Sequence, residues 1–336
     1  MDWTIYRYFP QELEAEWNQL LEESITHVPF LRHEYLKIWW QTMGGGEWKT
    51  GDLAIAAARR DGNLIGIAPL FLTPDPEGSS ALMLLGSIEI SDYLDFIVRP
   101  QDLAEFMDEL LPFLAANIPA WQVLDWYNLL DTSPSIEAVR QAALKLGWPV
   151  EISQLQHSPY IPLTGNFETY LAGIDKKQRH EIRRKMRRAE EAGRGLKYSL
   201  ANDPACFDQD AEAFLTLMAY DEQKRMFLTP KMKDTFRQVL RCAFDAGCLH
   251  MAFLEFDGEK AAGHISFDYL KRIWAYNSGI NPKFIELSPG WVLLGYELQW
   301  ANENGYSEYD FMRGDEEYKY RFGAIDRSIK RLTVVR

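Results

Sequence analysis

Apolar residues alternate with polar ones over residues 3–9, then recur every three to four positions over 11–24, where Leu13, Trp17, Leu20 and Leu21 share one face. The first pattern predicts a strand and the second an amphipathic helix. The same reading predicts a helix over 32–43, stopped by Gly44-Gly45-Gly46, and strands over 53–59, 64–72 and 81–85, the first two joined at Asp61-Gly62. Residues 92–98 continue the sheet or form an extra edge. A helix over 100–117 has Leu103, Phe106, Met107, Leu110, Leu111 and Leu114 on its core face. A strand over 121–127, a helix over 135–146 and a strand over 150–154 follow.

After a linker at 157–165 the order starts again: a helix over 167–191, a strand over 196–200, and helices over 208–224 and 230–246. Three apolar runs at 249–256, 261–270 and 273–279, parted by Asp257-Gly258 and Lys271-Arg272, read as an antiparallel meander. Ser288-Pro289-Gly290 then opens a helix over 291–301. A strand over 306–312, a short helix over 316–322 and a last strand over 329–335 complete the second half. Each half reads β-α-α-β-β-β-α-β-α-β, and Asp61-Gly62 with Gly66 echoes Asp257-Gly258 with Gly263. The pattern predicts an α/β fold with mixed sheets in two tandem domains, 1–160 and 161–336, a size that suits 336 residues.

Composition narrows the functional classes. Hydrophobic residues make up 47% and charged residues 25%, the proportions of a packed globular protein. A formal net charge of -13 disfavours wholesale binding to nucleic acid or an anionic membrane. The charge is uneven, because residues 176–197 hold ten Lys/Arg against three Glu. Cys206, Cys242 and Cys248 give no disulfide framework. Cys242, Cys248 and His250 have no second ligand pair, so no metal is expected. No apolar leader or run of about 18 apolar residues occurs. A cytoplasmic protein without a membrane span is the expectation.

Several motifs then point to a family. Tyr276-Asn277-Ser278-Gly279, Ser288-Pro289-Gly290, Asp310-Phe311-Met312-Arg313-Gly314-Asp315, Tyr318-Lys319 and Phe322-Gly323 together resemble the CelD/BcsL-type acetyltransferases of the GNAT superfamily. These are relatives of the FemAB-type aminoacyltransferases, which carry tandem GNAT-like halves. Ala68-Pro69-Leu70, Ser91-Asp92-Tyr93-Leu94-Asp95 and the Arg-rich helix at 177–188 extend the resemblance over nearly the whole chain. It implies two tandem GNAT-like domains, an acyl-CoA donor such as acetyl-CoA, and a saccharide or other small-molecule acceptor. The usual Gln/Arg-x-x-Gly-x-Gly/Ala phosphate loop is absent; Ser288-Pro289-Gly290 stands in its place.

Candidate site residues follow from both sources. Ser288, Pro289, Gly290 and Trp291 start a helix straight after a strand, a position suited to the donor's phosphates; with Tyr276 and Gly279 they form the expected donor site. Strand alternation puts His264, Ser266 and Asp268 on one face, either solvated or lining a groove, with His264 or Asp268 as general base. Asp310, Tyr318 and Lys319 are catalytic candidates: Lys319 as a charge for an acceptor phosphate or the developing oxyanion, Tyr318 as proton donor to the leaving thiolate. Arg313 offers a fork for phosphate or carboxylate. Asp92 and Asp95 are either solvated carboxylates of a turn or a pair of which one binds acceptor. The basic helix at 175–193, through Arg179 and Arg183, is either a solvated face or a dock for an anionic partner such as a carrier protein or tRNA.

Three functions are carried forward. The first is acyl transfer from acyl-CoA to an amine or hydroxyl of a sugar or polysaccharide-related acceptor. The second is FemAB-like transfer from aminoacyl-tRNA to a cell-wall precursor. The third is a non-catalytic binding protein of exopolysaccharide assembly, motivated by the missing glycine-rich loop.

Overall fold

The computed structural model describes residues 1–75 and 77–336. The chain begins with β1 (Asp2–Tyr6), α1 (Glu14–Glu22), α2 (His33–Gly46), β2 (Asp52–Leu53), β3 (Ile55–Arg60), β4 (Asn63–Ala68), β5 (Leu70–Pro74), β6 (Ser80–Leu84), β7 (Ile97–Val98), α3 (Leu103–Asn117), β8 (Val123–Leu130), α4 (Ser135–Lys145) and β9 (Val150–His157). It continues with β10 (Tyr160–Pro162), α5 (Phe167–Gly173), α6 (Lys176–Glu191), β11 (Lys197–Leu200), α7 (Phe207–Met218), α8 (Glu222–Phe227), α9 (Pro230–Asp245), β12 (Leu249–Phe256), β13 (Glu259–Tyr269), β14 (Arg272–Ile280), α10 (Pro289–Glu303), β15 (Glu308–Asp310), α11 (Glu317–Arg321) and β16 (Ser328–Val335). Two compact units result: Met1–His157 with Arg327–Arg336, and Ser158–Asp326.

The second unit holds one six-stranded sheet in the order β10-β15-β14-β13-β12-β11. All its neighbours are antiparallel except β14 and β15, which run parallel. The first unit carries β1-β3-β4-β7 and β2-β5-β6-β8-β16-β9. β4 and β5 are parted only by Pro69, which has no N–H to donate to a ladder. Joined across that break, the order β1-β3-β4/β5-β6-β8-β16 parallels β11-β12-β13-β14-β15-β10. Even the single parallel pair falls at the same place, β6 with β8. The repeated order read from the sequence is therefore present, with its meander in both units.

The last strand departs from the expected plan. β16 lies not in the sheet of the second unit but between β8 and β9 of the first. Ladder length explains the choice. β15 has three residues and is already paired with β10, whereas β8 and β9 each present eight. Ile329, Leu332 and Val334 are fully buried there, and Arg331 clasps Asp125 at 2.7 and 3.0 Å.

Local caps account for the other differences. The helix expected over 167–191 is two, because Ile174 is extended and Asp175 caps α6 by accepting the N–H groups of Lys177 and Gln178. The helix expected over 208–224 ends at Met218, and Asp221 caps α8. The strand expected over 306–312 stops at Asp310. Its carboxylate accepts the Met312 N–H at 2.7 Å while Met312 turns to a φ of 57°. Residues 92–98 contribute only β7.

Candidate active site

β14 and β15 share three rungs, the last pairing Trp274 with Asp310. Beyond it β14 runs on to Ile280 with no strand on that side among the described residues. The β13–β14 register slips between Ile265 and Ser266, leaving Tyr276 as an extra residue and bending β14 away. A cavity of about 220 Å³ opens at this divergence. Ala275, Tyr276, Asn277 and Ser278 line it from β14, Tyr309 and Arg313 from the far side, and His264 from β13. Glu316, Tyr318 and Lys319 close one end, and Lys224 of α8 reaches in.

Beneath the cavity lies a buried polar cluster between the sheet and α10. Glu297 of α10 is 1% exposed. Its Oε2 bonds His264 Nδ1 and accepts the Tyr309 hydroxyl at 3.1 Å; its Oε1 lies 3.6 Å from His250 Nε2. Burial opposes ionisation of Glu297, but the His264 imidazole, with His250 and Tyr309 behind it, holds the carboxyl below its ordinary value. Burial pushes the His250 pKa down and so favours the neutral ring, which lies against Trp300. Burial, then the Glu297 charge, pushes the Tyr309 hydroxyl up, keeping it a donor. The polar face of β13 is thus covered rather than solvated. Only His264 of that face also reaches the cavity, and its Nε2 has no hydrogen-bond partner among the described residues. Asp268 takes the Tyr306 hydroxyl and lies outside the cavity.

Lys319 lines the cavity, but its ammonium is committed. It donates to the Arg313 carbonyl at 2.8 Å and the Gly314 carbonyl at 3.0 Å, and pairs with Glu316 at 2.9 Å, which uses its three donors. It holds the turn at 313–316 rather than waiting for an oxyanion. Lys224 had no place in the sequence reading. Its Nζ bonds Asn277 Oδ1 at 2.9 Å and the Ser278 carbonyl at 2.7 Å, and burial lowers its pKa. Tyr318 packs edge-on to Phe311, and burial pushes its hydroxyl pKa up. Asp310 is fully buried and serves the Met312 turn, outside the cavity.

The expected donor residues divide. Tyr276 lines the cavity and packs on Phe236 and Phe267. Gly279 is a packing glycine: a Cβ there would stand 2.4 Å from the backbone of Leu217 and Met218 in α7. Ser288 takes a left-handed conformation and makes no side-chain cap; its hydroxyl instead accepts from Arg188 at 3.2 Å. Pro289 occupies the first turn of α10, and the N–H groups of Gly290 and Trp291 have no partner among the described residues. Gly290 admits the Ile280 side chain, which a Cβ would meet at 2.6 Å, and Trp291 lies under Lys185 at 3.9 Å.

Asp95, Arg179 and Arg183 are held in structural contacts. Asp95, in the first unit, is fully buried and accepts Thr26 Oγ1 at 2.6 Å, Ser133 Oγ at 2.5 Å and the Phe96 N–H at 2.8 Å, so it cannot meet an acceptor. Asp92, also in the first unit, is partly buried. Arg179 donates to the last carbonyls of α5 and Arg183 pairs with Glu168, tying α6 to α5. The more solvent-facing part of the basic run lies further along: Arg184, Arg187 and Arg188 line a second hollow of about 360 Å³ beside Leu287.

Sequence reading missed Glu297, His250, Tyr309, Glu316 and Lys224. Glu297 did leave a signal. It is the one acid on the stripe Leu293, Leu294, Leu298 and Ala301, where spacing alone predicts an apolar residue. Lys224 left none, since only the tertiary fold brings α8 to β14.

Among the described residues no group of three or more His, Cys, Asp or Glu is placed to hold a metal ion. Nor is any helix among them long and apolar enough to cross a membrane. Comparison with known proteins then bears on the site. Residues 176–320 match the family described as the acetyltransferase (GNAT) domain. No curated protein sequence matches the chain. Among solved structures, FemX is similar at a TM-score of 0.67 and 12% identity, over 99% of this chain and 97% of FemX. A conserved protein of unknown function from Bacteroides thetaiotaomicron is similar at 0.64 and 12%, over 99% of both chains. The C-terminal domain of a putative lysylphosphatidylglycerol synthetase from Agrobacterium fabrum is similar at 0.56 and 12%, over 96% of this chain and 92% of that one. At such identities these likenesses speak to the fold alone. Residues 176–320, which contain the whole cavity, match the GNAT acetyltransferase domain, and the protein is an acyltransferase whose two units repeat one strand order.

Proposed function

We propose that the protein moves an acetyl or other acyl group from acyl-CoA to an amine or hydroxyl of a sugar or polysaccharide-related acceptor, working in the cytoplasm without a metal. The observation that carries the donor half is the stretch of β14 beside the cavity that no strand among the described residues covers. An extended thioester arm carries amides that suit a free strand edge. The free N–H groups of Gly290 and Trp291, with Arg188 next to Ser288, suit its phosphates. Lys224 bonds the Ser278 carbonyl on the same stretch, so an incoming amide would compete with it. The resemblance to CelD/BcsL-type enzymes and the polar lining of the cavity support a hydroxyl-rich acceptor.

A second reading is aminoacyl transfer from tRNA, supported by the basic hollow on α6 and the FemX-like fold. There the anionic partner would dock on Arg184, Arg187 and Arg188. A carrier protein suits the same surface under the first reading. A thermal-shift panel separates these readings, since a ligand at about 100 times its Kd stabilises by about 2.7 kcal/mol. Acetyl-CoA should raise the melting temperature and Arg188→Glu should shrink that rise. A shift with aminoacyl-tRNA but none with acetyl-CoA would favour the second reading, and no shift with either would leave the non-catalytic one.

A further inference from the structure

We propose that His264 is the proton acceptor of the transfer step and that Glu297 is the residue that positions it. The inference rests on the acyl-transfer reading above and deepens it at one atom. His264 Nδ1 faces a buried carboxylate, a contact in which Nδ1 carries hydrogen, so that in the neutral ring Nε2 keeps its lone pair. Nε2 has no partner among the described residues, and the ring lines the cavity.

The other basic groups at the site are spent. Lys319 is tied to two carbonyls and Glu316, and Asp310 holds the Met312 N–H. Asp268 accepts from Tyr306, Tyr309 gives its hydrogen to Glu297, and Lys224 is held by Asn277 and Ser278. His250, on the other side of Glu297, is 5% exposed and lies on Trp300, so the carboxylate's charge is left to act on His264. Tyr309 locks the same carboxylate oxygen from a second strand, which fixes the plane of the dyad.

The step balances without further reagents. The lone pair of a neutral amine or hydroxyl forms a bond to the thioester carbon while the carbonyl pair moves to oxygen. The acceptor's proton passes to Nε2. When the carbonyl re-forms, the C–S bond breaks, its pair stays on sulfur, and the proton on Nε2 passes to the thiolate. The products are the acylated acceptor and free thiol, and the imidazole returns to its starting form.

The experiment uses the full chain, acetyl-CoA as donor and D-glucosamine as the probe amine, and follows thiol release. His264→Ala should bind acetyl-CoA as the wild type does, lower kcat by about 10²–10⁴-fold and regain part of it with added imidazole. Glu297→Gln should lower kcat with little change in KM. Independently, long-range ¹H–¹⁵N spectra of the wild-type histidine rings should show His264 protonated at Nδ1 and bare at Nε2, and Glu297→Gln should lose that preference. Unchanged kcat in His264→Ala, or an Nε2–H tautomer in the wild type, would overturn the proposal. Should acetyl-CoA fail to bind the wild type, the donor assignment falls by itself, while the ring spectra still decide whether the dyad exists.

Discussion

At the scale of single residues, the site shows that a polar side chain is defined by its partners. Lys319 and Lys224 are both lysines at the cavity, yet their contacts give them different work. Replacing Lys319 with Met strips the Arg313 and Gly314 carbonyls of their donor, so the protein should lose roughly 1–3 kcal/mol of stability, read by urea unfolding. A variant as stable as the wild type would return Lys319 to the list of free catalytic groups. Asp95 gives a pH prediction. Burial raises its pKa above the ordinary carboxylate value of about 3.9, despite the hydrogen bonds that pull it down. Above about pH 4 the unfolded chain gives up this proton more readily than the folded one, so Asp95 costs stability progressively as pH rises through its folded pKa. The unfolding free energy of Asp95→Asn minus that of the wild type should therefore increase from pH 4 toward neutrality. Parallel curves for the two proteins would refute it.

At the scale of elements, β14 is where the fold makes room for chemistry. It leaves its parallel neighbour after three rungs, carries an extra residue at Tyr276, and is pressed onto α7 at Gly279. Gly279→Ala should cost about 1–3 kcal/mol, because backbone atoms of α7 stand 2.4 Å from the new Cβ and cannot rotate away. Gly290→Ala should cost distinctly less, since there the obstacle is the end of the Ile280 side chain. Chemical denaturation of the pair checks the order, and an equal or inverted cost would contradict this account of the two glycines. The basic helix divides in the same way. Arg179 and Arg183 fasten α6 to α5, whereas Arg187 lines the hollow without a described partner. Arg187→Glu should leave stability within about 0.5 kcal/mol of the wild type.

At the scale of the whole molecule, β16 makes the first unit depend on the last ten residues of the chain. Ending the chain at Asp326 removes the strand between β8 and β9 and leaves Asp125 buried without Arg331. Hydrogen exchange should then accelerate in Val123–Leu130 and Val150–His157 while Leu249–Phe256 stays protected. Retained protection in β8 would show that β16 is dispensable.

The sequence by itself determined what depends on near neighbours and period. Apolar runs parted by tight turns marked the meander at 249–279, the helical stripe Leu103, Phe106, Met107, Leu110, Leu111 and Leu114 was buried as spaced, and the repeated order predicted two like units. It also named His264 and Tyr276, both of which line the cavity. Tertiary structure decided everything that rests on contacts far apart in the chain. Nothing local distinguishes β16 as a strand for one sheet or the other, because both would bury Ile329, Leu332 and Val334; the length of the available edges decides. Nothing local tells that Asp310 and Lys319 are consumed by a turn while His264 keeps a free nitrogen. Whether a charged group binds or merely holds depends on which partners reach it first, and those partners arrive only when β13, β14, β15 and α10 come together.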